Sequence, residues 1–307
     1  MQAMKKEGEW LVAQLAAADA DIPIGNLLRE GWRLPKKQVH LLFQQKEVQI
    51  DGQPVPQHAK GREGQEIRLR LLAPEPYGVE PVFEPMEVLY EDDHLLIVDK
   101  PAKVLVHPTE PSHERTLDHM VAGHLMRSGI QAKVRHVHRL DQDTSGLVLY
   151  AKHAWASAIL DEMLRERKIK RSYVAFVHGH LKGSGTIREP IGRDRNHPTR
   201  RRVSPRGEKA VTHYDLRQRF PGGSQVACRL ETGRTHQIRV HLSHIGHPLM
   251  GDILYGGKAS LIDRQALHAE VLRFEHPFGG QMIEVRAAMP NDLKELEKRL
   301  QEAPTRR

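Results

Sequence analysis

At 307 residues with a 39% hydrophobic share, the chain can build one large domain or two modest ones around a packed core. No apolar run approaches the ~20 residues of a membrane span, and the lone cysteine excludes an intramolecular disulfide framework and multi-cysteine zinc or iron–sulfur sites. Forty-seven Lys and Arg against 39 Asp and Glu leave a formal charge of +8, which points to a polyanionic partner, because counterion release favours binding to phosphate backbones.

The opening MQAMKKEGEW meets Glu7 and Glu9 before any apolar stretch, so no signal peptide is expected and a cytoplasmic protein is. A helical pattern around Trp10, Leu11 and Leu15 is followed by Ile24, Leu27 and Leu28. Pro35 suits the first turn of a helix through Val39, Leu42 and Phe43. In EVQIDGQPV, Val48 and Ile50 alternate before Asp51-Gly52, a hairpin signal, and a strand over Glu66–Leu72 closes a small unit assigned to residues 1–75. Pro74, Pro76, Pro81 and Pro85 then mark an extended linker, placed at 76–87. From Val88 to about residue 300, strands (VLYEDDHLLIVDK, LVLYAK, YVAFVHG, QVACRLE) mix with a helix whose stripe is Ile159, Leu160, Met163 and Leu164. Strands that adjoin one another favour an α+β class. Cys228, in an alternating stretch, reads as a small buried residue. Residues 188–209 hold eight Lys or Arg against three acids, with three prolines and no apolar period. They read as an exposed loop, and Arg200, Arg201 and Arg202 are either phosphate contacts or solvated surface.

The phrase HVHRLDQDTSGLVLYAK places Asp141 in a polar turn before an apolar strand. Loops anchored on strands commonly carry reacting groups. With Asp143 nearby, the acids read as a capped structural turn, an acid–base pair or part of a metal site. HRLDQDTSGLVLYAK also resembles the signature of the large-subunit-rRNA-type (RluA-type) pseudouridine synthases, H-R-L-D-x-x-T-S-G-x-x-x-x-A-K, at every fixed position: His138, Arg139, Leu140, Asp141, Thr144, Ser145, Gly146, Ala151 and Lys152. DKPAKVLVHPT, KRSYVAFVHG, GEKAVTHY and TGRTHQIRVHLSHIGHPLMGDILYG resemble further blocks of that family in the family's order, covering roughly 88–290. Lys103 stands where the family usually has glycine, a residue often used at positive φ. VQIDGQPV and GREGQEIRL loosely resemble the S-four-like RNA-binding domain, so the N-terminal unit is expected to bind RNA or to cap the main domain.

The resemblance implies a pseudouridine synthase fold, with a mixed, largely antiparallel sheet and flanking helices. It implies isomerisation of uridine to pseudouridine in RNA, without cofactor or metal. By resemblance Asp141 is the catalytic carboxylate; whether it attacks ribose, adds to uracil or acts by elimination stays open. An arginine should keep it charged. The family aligns Arg239 with that role and leaves Arg234 as a weaker phosphate contact. A base acted on by an enzyme must leave the stack. Tyr173 is expected to stack on it, and Arg139 to fill the space it vacates. His236, His241, His244 and His247 carry no zinc-ligand pattern and read as polar helix and turn residues. Large-subunit rRNA is the expected substrate, with tRNA as an alternative, and the protein is expected to be a monomer without membrane association. Two other readings are an RNA-binding assembly factor that has lost catalysis and a metal-dependent nuclease using Asp141 and Asp143.

Overall fold

A computed structural model describes residues 4–110 and 112–302. Near the N-terminus the strands Lys5–Glu7, Trp10–Gln14, Glu66–Leu69, Val48–Ile50 and Gln53–Pro54 form one sheet in that spatial order. The stretch around Trp10 and Leu11 is therefore a strand and not the expected helix. A four-residue apolar run fits either period, and pairing with Glu66–Leu69 on one side and Lys5–Glu7 on the other decides it. The helix expected after Pro35 spans Lys36–Gln44, with Val39 and Leu42 buried. At the Asp51-Gly52 hairpin both residues have positive φ (48° and 77°), as a tight two-residue turn requires.

Residues 70–86 contain no helix or strand, in keeping with the proline pattern, yet they are docked. Main-chain bonds join Glu75 to Gln131, Val134 to Tyr77 and Val82 to His119. This segment is a strap lying along the helix Leu117–Arg127.

The main sheet runs in the order Ser184–Ile187, Thr212–Phe220, Gly223–Leu230, Lys170–His178, Leu267–Glu275, Ser145–Ala151, Leu95–Lys100 and Glu87–Glu91. Every neighbouring pair is antiparallel except Leu267–Glu275 with Ser145–Ala151. This is the mixed, largely antiparallel sheet expected. Helix Leu117–Arg127 packs on one face through Leu117, Met120, Val121 and Leu125. Helix Ala154–Arg165 packs on the other through Trp155, Ile159, Leu160 and Met163, with Leu164 partly buried. That second core continues into the N-terminal sheet: the Trp32 and Trp155 rings stack at 6.0 Å, and Trp155 Nε1 donates to Trp32 O at 2.9 Å.

Residues 188–209 are not the exposed loop expected. Ile191–Arg193 pairs antiparallel with Arg201–Val203 to make a ribbon. Ile191 and Val203 pack on Val240 and Ala210, which are too distant in sequence to produce a local apolar period.

Candidate active site

Asp141 begins a turn closed by Thr144 N donating to Asp141 O (3.1 Å), and the fully buried strand Ser145–Ala151 follows at once. Gly146 is needed at this junction. Its φ is +112°, and a Cβ there would lie 2.3 Å from Ala269 O across the parallel pair. The turn is pinned from below by two buried cations. Lys100 Nζ donates to Gln142 O (2.8 Å), Pro101 O (2.9 Å) and Val104 O (2.7 Å). Arg264 donates to Asp143 O (3.0 Å) and is held by both oxygens of Asp292. Burial pushes the Lys100 ammonium down to about 7, opposed by Asp141 and Asp143. Three carbonyls around one nitrogen match the three N–H groups of the charged form, so we assign Lys100 as an ammonium.

Arg239 sits on helix Gln237–His244 and is buried. Its Nη1 donates to Asp141 Oδ2 at 3.2 Å, while Nε and Nη2 grip both oxygens of Asp252 at 2.8 and 2.9 Å. Desolvation works against this guanidinium, but the Asp252 hydrogen bonds and the Asp141 charge more than offset it and hold Arg239 above its ordinary value. The Tyr255 ring lies 5.0 Å beneath the guanidinium. Its hydroxyl is fixed by His236 Nδ1 (2.8 Å) and by Arg201 N, which donates to it at 2.9 Å.

A cavity of about 590 Å³ opens over this ion pair, with Arg139, Asp141, Arg171, Tyr173, His236 and Arg239 among its lining residues. Tyr173, on strand Lys170–His178, is buried, and burial raises its phenol above the ordinary value, with Asp141 adding to the effect and Arg171 opposing it. Arg139 is exposed at the same cavity. Asp141, Tyr173, Arg239 and Arg139 thus line one cavity.

The other basic candidates divide. Arg234 lines the cavity but is engaged by Glu208 and by Lys209 O. Arg200, Arg201 and Arg202 border a separate depression of about 750 Å³ beyond Tyr255, together with Ser243, His244 and Ile253. Arg200 is tied to Asp194 (2.6 Å), whereas Arg201 Nε is buried with no hydrogen-bond partner among the described residues. His241 bonds Thr212 and the Glu189 carbonyl, and His247 bonds the His178 carbonyl. Among the described residues no three His, Cys, Asp or Glu side chains are grouped to hold a metal ion, and such a group is what a nuclease built on Asp141 and Asp143 would need. Lys103, where the family pattern has glycine, adopts the left-handed conformation (φ 69°) and pairs with Asp263 at 2.8 Å.

Asp252, Lys100 and Arg264 support this site and Arg171 lines it, and the sequence alone singles out none of the four. Asp252 and Lys100 stand inside the family-like blocks, but nothing local marks either as buried. Arg264 lies outside those blocks.

Residues 94–244 match the RNA pseudouridylate synthase family, and residues 13–67 match the RluD ribosomal pseudouridine synthase N-terminal domain. An uncharacterized RNA pseudouridine synthase of Bacillus subtilis, YhcT, is 41% identical over 298 residues, spanning 95% of this chain and 93% of the relative. Ribosomal large subunit pseudouridine synthase D of Xanthomonas campestris is 40% identical over 274 residues, spanning 84% and 82%. Among solved structures, human RNA pseudouridylate synthase domain containing 1 aligns with a TM-score of 0.56 at 26% identity, covering 74% of this chain and 99% of that one. The chain therefore belongs to the RNA pseudouridine synthase family, and its activity is isomerisation of uridine in RNA.

Proposed function

We propose that the protein converts specific uridines of large-subunit rRNA to pseudouridine in the cytoplasm, acting as a monomer, with Asp141 as the carboxylate that engages the target nucleotide. The observation that carries this reading is the chain of contacts Asp141–Arg239–Asp252 at the floor of a cavity walled by Tyr173. A carboxylate that engages a nucleotide must be ionised and held in one direction. Arg239 supplies the opposing charge, and Asp252 fixes the guanidinium so that one N–H remains for Asp141. The glycosidic bond at N1 breaks and a bond from ribose C1′ to C5 forms, while the C5 proton is replaced by one at N1. The exchange is redox-neutral and consumes no second substrate.

In this scheme Tyr173 packs on the flipped uracil and Arg139, exposed at the rim, occupies the gap in the RNA. Arg201 and Arg202, on the ribbon, hold backbone phosphates, as does the N-terminal unit. Arg200, matched by Asp194, and Arg234, matched by Glu208, have less charge to offer. The rRNA assignment rests on the large-subunit synthases among the 40%-identical relatives and on the +8 charge.

The test is to map pseudouridines across total RNA with and without the gene, restoring it as wild type or as Asp141→Asn. Large-subunit sites should vanish with the gene, return with wild type and stay absent with the variant. Loss confined to tRNA overturns the substrate; no loss anywhere favours a catalytically silent RNA-binding protein.

A further inference from the structure

Among the described residues, Arg171 carries a charge that no contact explains. It is only 8% exposed, yet its Nε has no hydrogen-bond partner, and its guanidinium has neither ion pair nor hydrogen bond among the described residues. Isolated buried charge is costly. A fold keeps such a group where a ligand completes it. The ligand's place is indicated by neighbours. Arg171 and Tyr173 lie two apart on strand Lys170–His178, hence on one face, and both line the cavity that contains Asp141. The other carboxylates of that cavity do not satisfy it. Glu231 pairs with Arg167 and His213, Asp141 pairs with Arg239, and Asp161 lies beyond ion-pair distance. Gly233 helps make the room: a Cβ there would come within 3.1 Å of Arg171 Nη1.

We propose that Arg171 is a further catalytic residue, which binds a carbonyl oxygen of the flipped uracil and stabilises negative charge that develops on it. This rests on the pseudouridine synthase reading above. The charge arises in each course open to Asp141. If the N1–C1′ bond breaks first, its electron pair leaves with N1 and spreads onto O2 and O4. Asp141 then bonds C1′ or takes the C2′ proton. If instead Asp141 adds to C6, the C5–C6 electron pair moves onto O4. A guanidinium already fixed beside the ring, with N–H groups unspent, favours both over the neutral ground state. Hydrogen bonding to neutral uracil also recovers part of the burial cost.

Arg171→Met and Arg171→Lys test this. The RNA is whichever segment the wild type converts, so an error in the rRNA assignment changes the substrate and not the comparison. Single-turnover rates at saturating RNA, RNA affinity, its salt slope and thermal unfolding are measured for each protein. Arg171→Met should lower the saturated rate by about a hundredfold, the scale of losing one charge-stabilising donor. Affinity should change by less than roughly fivefold, because the interaction strengthens mainly beyond the ground state. Lysine should recover part of the rate by keeping the charge. The melting temperature of Arg171→Met should rise, since an unmatched buried charge is gone. An unchanged saturated rate with weaker binding and a shallower salt slope would make Arg171 a phosphate contact. A lowered melting temperature with an unchanged saturated rate would make it a structural residue. Either result overturns the proposal.

Discussion

At the scale of single residues, the central relation is that Arg239 serves two carboxylates unequally. Asp252 receives two parallel hydrogen bonds and Asp141 receives one at 3.2 Å, so Asp252 sets the guanidinium plane and Asp141 uses what remains. Arg239→Met should therefore slow the step at saturating RNA by about a hundredfold or more, comparable with losing a preorganised charge. Asp252→Asn keeps the charge on Arg239 but loosens its aim, and should cost about tenfold, the lower end for a supporting residue. Because the two act as one unit, the double variant should be no slower than Arg239→Met alone. Additive losses in single-turnover rates would show instead that Asp252 acts on the reaction by a separate route. The same unequal sharing explains why Arg234, close in sequence to Arg239's helix, is not the partner: its guanidinium is directed outward to Glu208.

At the scale of elements, helix Ala154–Arg165 depends on an uncharged histidine. His153 caps it by accepting from Ala156 N (3.2 Å) through Nδ1, so its proton sits on Nε2 and is donated to His94 Nδ1 at 3.0 Å. Burial lowers His94 to about 4, with nearby Asp92 opposing, and burial pushes His153 well below its ordinary value, with His94 adding to it. In the unfolded chain both return to about 6.5. Above that value both states are neutral and the stability is fully present. As pH falls from about 6.5 through 4 the unfolded chain binds protons first, so stability is lost. Melting temperature measured across this window should decline. His153→Asn keeps a capping oxygen while removing a titrating ring, and should decline less steeply; an equal slope would assign the acid sensitivity elsewhere. The ribbon Ile191–Arg193 with Arg201–Val203 makes a different point. Folding it pairs off Arg200 with Asp194 but leaves Arg201 and Arg202 facing the depression beyond Tyr255. A basic cluster that looks uniform in sequence is thus unevenly paired in the fold.

Across the whole molecule, charge and core are organised differently. The stacked Trp32 and Trp155 join the N-terminal sheet to the main sheet through one continuous core, so removing the N-terminal residues would expose Trp155 as well as delete basic surface. Phosphate binding is better tested by substitution in the intact chain. Arg201→Gln with Arg202→Gln should weaken RNA binding and flatten the dependence of log affinity on log salt by about 0.7–0.9 for each phosphate no longer neutralised. The saturated single-turnover rate should stay within a few-fold of wild type, since neither side chain lines the catalytic cavity. An unchanged salt slope would return the ribbon to solvated surface.

By itself the sequence determined whatever is contiguous or periodic. The run His138–Lys152 places Arg139 and Asp141 in one turn ahead of a strand, and the stripe Ile159, Leu160, Met163 sets the buried face of its helix. The Asp51-Gly52 turn was likewise legible, because its backbone angles are a local property of those residues. Arg239 was reached through resemblance, since 98 residues separate it from Asp141. Only the tertiary structure decided the rest. Whether the run at Trp10 is helix or strand depended on strand partners, one of them more than fifty residues away, and the ribbon at 191–203 depended on Val240. Lys100 and Arg264 became supports of the Asp141 turn because folding brings segments 42 and 121 residues apart together, and Asp252 became the holder of Arg239 because the chain turns back after helix Gln237–His244. A missing partner, like that of Arg171, is a property of three-dimensional surroundings: sequence records which charges exist, and folding alone determines which of them are matched.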